Sequence, residues 1–229
     1  MQNTIAIIQA RIGSKRLPYK MMLSLHGKPL IEWVIRRVKK SKLLDDIIVA
    51  IPKSKDNDIL EKYIQELGIK VFRGSEDNVL NRFYESVKNE NVTHIVRVCA
   101  DNPLIDGNEI DNLISFYKNN FCDYAYNHIP KGNKYPDGLG AEIISYEMLK
   151  NLNNIVEQQE HKEHCLSYII DNKDKYIIKT FDPLDSDIHH PKLKFDVDTF
   201  DDYYNLCMKE FDIDISSRDL VKLFMETIK

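Results

Sequence analysis

Four cations, Arg11, Lys15, Arg16 and Lys20, lie between positions 11 and 20 in "ARIGSKRLPYK", directly after the apolar run "TIAIIQA" at 4 to 10. So much positive charge in one loop is suited to a small anion, and Gly13 and Ser14 add a close backbone approach and a hydroxyl. The spacing is neither GxGxxG nor GxxxxGK[ST], so both standard nucleotide loops are absent. Carboxylates complement the cations. Asp101 follows the apolar run 94 to 100 in "VRVCADNPLID", and Asp196 and Asp198 are expected at the end of another short strand in "LKFDVDTFDDY", just before a helix from about 200. Carboxylates at strand ends facing a cationic loop are what a hard Mg²⁺ ion bridging phosphates requires. Other roles stay open at this level: Lys15 and Arg16 as a solvated turn, Asp101 as an Asx turn before Asn-Pro, Asp198 as an N-cap.

The elements that must position these groups alternate in type. "TIAIIQA" (4 to 10), "DIIVAI" (46 to 51), "IKVFRG" (69 to 74) and "HIVRVCA" (94 to 100) are β-branched-rich runs expected of strands buried on both faces. Helical periodicity covers 29 to 41, 56 to 68, 77 to 89 and 108 to 120, with Pro29 at a favoured first position and Gly68 as a stop. This pattern predicts a parallel sheet with right-handed crossovers. Ligands in such sheets bind outside the carboxyl ends of the strands, where the cationic loop and Asp101 both fall. From 122 to 146 strand-like runs mix with Gly and Pro turns, an antiparallel excursion beside the main sheet. Helices are expected over 161 to 172, 201 to 211 and 217 to 228, and residues 1–229 read as one domain.

The 229 residues are 43% hydrophobic and 30% charged, enough to bury a core, with a net charge of -4. That balance gives no general attraction to nucleic acid or an anionic membrane, so the basic cluster is a local feature. No apolar run approaches the ~20 residues of a membrane span, and "MQNTIAIIQA" lacks the basic n-region of a signal peptide; a cytoplasmic protein is expected. Cys99, Cys122, Cys165 and Cys207 show no CxxC spacing, so neither a disulfide framework nor a zinc site is indicated.

The stretch "IIQARIGSKRLPYK…GKPLIEWVI" resembles the N-terminal signature of the CMP-sugar synthetases, the cytidylyltransferases that activate Kdo and sialic acids. The whole chain is most similar to the spore-coat-polysaccharide branch, whose order is followed by "FRGSEDNVLNRF", "VRVCADNPLID", "YPDGLGAEIIS", "EHKEHCLSYIIDN" and "FDVDTFDDY". The resemblance implies a Rossmann-like, GT-A nucleotide-diphospho-sugar transferase fold. It also implies CTP and Mg²⁺ as reactants, and a CMP- or CDP-linked sugar with pyrophosphate as products. Ala100, Asp101, Asn102 and Pro103 stand where Kdo-type enzymes show Gly-Asp-Glu-Pro, and the arginine-bearing motif of sialate enzymes is missing, which leaves the acceptor sugar open.

By this resemblance Ala10, Arg11, Gly13, Ser14, Lys15 and Lys20 hold the nucleotide, with Arg11 and Lys20 neutralising charge on departing pyrophosphate. Asp101 and Asp198 carry the ion, Arg82 meets the nucleotide or acceptor edge or else is a solvent-facing helical arginine, and Gly138 and Glu142 line the acceptor pocket. Arg16, at the loop's tip, is expected to turn to solvent and to matter least of the four cations. His161 and His164 permit a metal pair, a cap or a dimer contact, and a homodimer is expected; His189 and His190 are given no chemistry. The alternatives are a glycosyltransferase with a nucleotide-sugar donor, for which "DVD" at 196 to 198 spells a DxD motif, a guanylyltransferase acting on a sugar phosphate, and a non-catalytic binding protein.

Overall fold

Ile5 and Ile7 of β1 (Thr4–Gln9) face one side of a sheet while Ala6 and Ile8 face the other, and both sides are covered. The computed structural model describes residues 3–226. β1 pairs in parallel with β4 (Asp46–Pro52) and β6 (His94–Cys99), and β5 (Lys70–Gly74) extends the sheet beyond β4. β8 (Glu142–Ser145) runs antiparallel to β6, followed by β7 (Tyr124–Tyr126) and β9 (Ile178–Thr180), giving the order β5-β4-β1-β6-β8-β7-β9. A two-stranded hairpin, β2 (Ser24–Leu25) with β3 (Lys28–Pro29), stands apart, its turn at His26 and Gly27 in left-handed conformations. The α/β class and the antiparallel excursion match the sequence expectation; the hairpin and edge strand β9 are too short to leave a pattern.

Apolar stripes at helical spacing fix which helix covers which face. Helices α1 (Leu30–Val38), α2 (Asp58–Glu66) and α4 (Gly107–Asn119) pack on the Ala6 and Ile8 face. Helices α3 (Val79–Val87), α5 (Tyr146–Ile155) and α7 (Ser167–Asp171) cover the Ile5 and Ile7 face. The single helix expected over 161 to 172 is broken: α6 (Gln159–Glu163) ends at His164, and the chain dips to bury Cys165 and Leu166 before α7. Helices α8 (Phe200–Cys207) and α9 (Ser217–Met225) close the fold, and the expected helical positions 227 and 228 lie outside the described residues.

A third apolar cluster lies beyond the carboxyl edge of the sheet. It joins Leu17 of the cationic loop, Leu104 after Asp101, Leu139 after Gly138, and Phe195 and Val197 on either side of Asp196. Arg37, buried in α1, ties this end together: its Nε donates to Ile105 O at 2.7 Å and its Nη1 to Ile213 O and Ile215 O at 2.9 Å each. Residues 195 to 198 are not a strand, although they are extended. One bridge, Asp137 to Lys194, and the bonds Phe195 N to Asp137 O (2.9 Å) and Val197 N to Asp101 O (2.7 Å) hold them. Alternation is nonetheless kept, with Phe195 and Val197 fully buried and the two aspartates turned the other way.

Because Phe195 fills this small core, Phe195→Ala should lower unfolding free energy by about 3–5 kcal/mol. Urea unfolding followed by fluorescence measures it, and a loss under 1 kcal/mol would show that the cluster is not what holds the segment.

Candidate active site

Lys20 is the pivot of the carboxyl edge. It begins a one-turn 3-10 helix (Lys20–Met22) entered through Tyr19, whose φ of 57° is left-handed, and the turn carries Lys20 inward until its side chain is 10% exposed. Its Nζ donates to Val197 O at 2.6 Å and stands 3.7 Å from Asp101 Oδ2 and 3.6 Å from Asp198 Oδ1. The two carboxylates singled out from sequence are thus brought to one cation. Neither is used in the alternative way: Thr199, with Asp202, forms the capping box of α8, and no backbone N–H bonds the Asp101 side chain among the described residues. Asp202 accepts from Asp198 N at 3.0 Å and from Thr199 N at 2.8 Å, which fixes the direction in which Asp198 leaves the chain.

The loop before Lys20 is anchored at its start and open beyond. Ala10 is buried, its N–H bonded to Ala50 O, and Ile12 N donates to the buried Asn57 Oδ1 at 2.9 Å. Ser14 Oγ accepts from Leu17 N at 3.3 Å, while Gly13 is exposed, without a left-handed φ, and a Cβ there would meet Asp56 Oδ2 only at 3.9 Å. Arg11 and Lys15 are exposed, and among the described residues neither has a carboxylate partner. Arg16 departs from expectation. Although 65% exposed, its guanidinium lies 2.8 Å from Asp198 Oδ1 instead of pointing to solvent, because that carboxylate carries charge Lys20 only partly offsets.

Two further acids belong to the cluster. Asp137 was not singled out from sequence, since Pro-Asp-Gly reads as turn chemistry. Burial raises its carboxyl to about 6; neighbouring Asp196 adds to the effect, Lys194 opposes it, and Asp101 and Asp198 push the same way. Burial likewise raises Asp196, whose Oδ1 has no partner among the described residues, although Lys194 stands 3.4 Å from its Oδ2. Gly138 makes this approach possible. Its φ is 90°, and a Cβ there would lie 2.8 Å from Asp196 N, so the residue serves close passage of two backbones where an acceptor contact was expected.

Two other expected contacts are buried. Glu142 is 3% exposed, paired with Arg97 across the β6 and β8 register and accepting from Tyr124 Oη at 2.5 Å. Burial alone would raise its carboxyl, but Arg97 holds it below the usual range. With its charge used inside the sheet, Glu142 presents no free carboxylate to an acceptor. Arg82 is 1% exposed, tucked against Gly74 and donating to Ser75 O; burial lowers its guanidinium to about 10, and Arg11 depresses it further. It is therefore neither a solvent-facing arginine nor an open edge, but a buried cation close enough to Arg11 to repel it. His161 does not form a metal pair with His164: it is buried, with Nδ1 2.8 Å from Ser167 Oγ.

No group of three or more His, Cys, Asp or Glu side chains among the described residues is arranged to hold a metal by itself. Mg²⁺ does not need one, since it takes one or two carboxylates and completes its shell with phosphate oxygens and water. Asp101 and Asp198, hard oxygen donors already gathered about one positive charge, fit that demand. Among the described residues no helix is long and apolar enough to cross a membrane.

Comparison with known proteins places the chain in a family. The family model described as "Cytidylyltransferase" matches residues 5–229. An uncharacterised protein of Methanocaldococcus jannaschii is 34% identical over 220 residues, spanning 95% of this chain and 88% of its own. The spore coat polysaccharide biosynthesis protein SpsF of Bacillus subtilis is 29% identical over 211 residues, covering 90% and 85%. A solved cytidylyltransferase from Leptospira borgpetersenii superposes with a TM-score of 0.89 at 26% identity, covering 100% of this chain and 96% of the other.

The Asp137 shift has a pH consequence. A carboxyl raised in the folded state adds stability that is complete below its unfolded pKa and lost as pH rises through the folded one. For Asp137 that window runs from about 4 to about 6. Metal-free Asp137→Asn should therefore melt higher than the parent at pH 7 and converge with it near pH 4. Calorimetry from pH 4 to 7 checks this, and a constant difference across the range would refute the placement.

Proposed function

Because this chain belongs to the cytidylyltransferase family, we propose that it activates a sugar or sugar-like acid with CTP, giving a CMP- or CDP-linked sugar and pyrophosphate for surface polysaccharide or glycan synthesis. The observation that carries the reading is Lys20, set between Asp101 and Asp198 at the foot of a loop whose Arg11 and Lys15 have no carboxylate partner among the described residues. A triphosphate supplies the missing anion, and cations held ready for it need no reorganisation as charge develops.

A sugar oxygen attacks the α-phosphorus in line; the new bond is oxygen to Pα, and the bond that breaks joins Pα to the oxygen it shares with Pβ, which leaves as a terminal oxygen of pyrophosphate, while a hydroxyl acceptor gives its proton to water and a phosphate acceptor attacks as the anion. Arg11 lies just past β1, separated from it only by the buried Ala10, so its planar fork is presented to the phosphates for bidentate contact. Lys20, tethered to Val197 O, keeps a fixed charge beside the leaving group. Lys15, exposed on the loop, adds affinity for the nucleotide. Asp101 and Asp198 would hold Mg²⁺, which when bound supplies Lewis-acid stabilisation of phosphate oxygens. The resemblance to CMP-sugar synthetases extends the proposal to a cytoplasmic homodimer and to preference for a pyrimidine nucleotide.

Incubating the protein with each nucleoside triphosphate, Mg²⁺ and a panel of sugar acids and sugar phosphates, and assaying pyrophosphate, tests the reading. Release of pyrophosphate with CTP and an acceptor is expected; release of a nucleotide from an added nucleotide-sugar donor, with no pyrophosphate from any triphosphate, would favour a glycosyltransferase, and a GTP requirement would favour the guanylyltransferase. Arg11→Ala and Lys20→Ala should each slow turnover by at least two orders of magnitude, a loss of roughly 3 kcal/mol in transition-state stabilisation. Asp101→Ala and Asp198→Ala should abolish it with melting temperature little changed. Parent-like rates in any of these four variants would remove that residue from the site.

A further inference from the structure

Two cations share one oxygen. Asp198 Oδ1 lies 2.8 Å from Arg16 Nη2 and 3.6 Å from Lys20 Nζ. The two cations are held very differently. Lys20 is 10% exposed and bonded to Val197 O, so it cannot leave without losing a buried hydrogen bond. Arg16 is 65% exposed on a loop without regular structure, and among the described residues Asp198 is its only polar partner. A divalent cation that takes Asp198 Oδ1 competes with both, and of the two only Arg16, exposed and with no second polar partner among the described residues, is free to go. A phosphate chain offers the guanidinium a more highly charged, bidentate partner than the single carboxylate it holds.

We propose that Arg16 is a latch on Asp198 which the nucleotide's phosphates release, so that the carboxylate opens to a divalent cation as the triphosphate binds. The inference rests on the assignment of Asp198 to the metal. It makes Arg16 a positioning residue: it acts by setting the availability of Asp198. Nucleotide and cation then bind with positive, reciprocal coupling, and a cation without nucleotide finds the site closed. The same pair holds Asp198 neutralised while the site is empty, beside Asp101, Asp137 and Asp196, whose charges would otherwise repel it.

The probe is Mn²⁺ alone, with the free ion measured by electron paramagnetic resonance during titration of the full chain. Without nucleotide, Arg16→Ala and Arg16→Gln should bind Mn²⁺ more tightly than the parent, by up to roughly fivefold, the range expected of a partly exposed ion pair. The gain should vanish in an Asp198→Asn background, which isolates the pair. Lys15→Ala makes the same charge change on the same loop without touching Asp198, and should show a smaller gain. An equal gain in Lys15→Ala would reduce the effect to long-range charge and overturn the latch. If Arg16 variants match or fall below the parent while the parent binds Mn²⁺ once CTP is present, the latch is wrong and the metal assignment stands. No bound Mn²⁺ in any variant, with or without CTP, overturns both.

Discussion

Like-charge repulsion is the constraint on which this end of the molecule depends. Four carboxylates, Asp101, Asp137, Asp196 and Asp198, interact electrostatically, and the raised carboxyls of Asp137 and Asp196 record the result. Lys20, Lys194 and Arg16 offset that repulsion from within, but a few partly exposed ion pairs contribute little each. What keeps the acids together is the apolar cluster beneath them, since the segments carrying Asp101, Asp137 and the two later aspartates each insert a buried side chain, Leu104, Leu139, Phe195 or Val197, into it. Packing of that kind contributes several kcal/mol per large side chain and outweighs the electrostatic penalty.

Charge is neutralised in the floor of the sheet and left unbalanced at its rim. Arg97 and Glu142, opposite each other on β6 and β8, cancel, and Tyr124 completes the pair. A buried pair of this kind breaks at high cost if one partner is removed, which suits a structural strut. At the rim Arg11 and Lys15 have no such partner among the described residues, and Arg82 beneath them is buried without a carboxylate. Positive charge therefore accumulates on the loop side and negative charge on the side of the aspartates, with Lys20 at the junction. On the proposed function, this polarity would orient an anion that carries a divalent cation, phosphates against the loop and metal toward the acids.

Backbone geometry gives the junction its precision. The left-handed Tyr19 turns Lys20 inward, and Asn57, from a different crossover, fixes Ile12. Gly138 admits the 195 to 196 backbone at a distance no side chain would allow. These are three local conformations that no periodic pattern encodes, each set at a place where the chain changes direction. Conformational strain and close backbone approach concentrate where a site has to be shaped.

The sequence by itself determined the layers and the ends of the strands. Strand runs within a residue or two of β1, β4, β5 and β6, and helical stripes for α1 to α4, were legible because burial imposes periods of 2 and 3.6 on apolar residues. The same reading placed Arg11, Lys20 and Asp101 at one edge, because in a parallel sheet the carboxyl ends lie together. Only the tertiary structure decided the rest. Asp137 joins the acids through a single bridge to Lys194, a contact 57 residues away in the chain (194 − 137) that leaves no local trace. Glu142 and Arg82 are chemically fit for a binding site and were read so, yet strand register gives one to Arg97 and helix packing buries the other. Arg16 reads as a tip residue until Asp198, distant in sequence, is folded against it. Periodicity reports which face of an element is buried; it carries no information on which distant charge will meet it there, because that depends on how the segments cross in three dimensions.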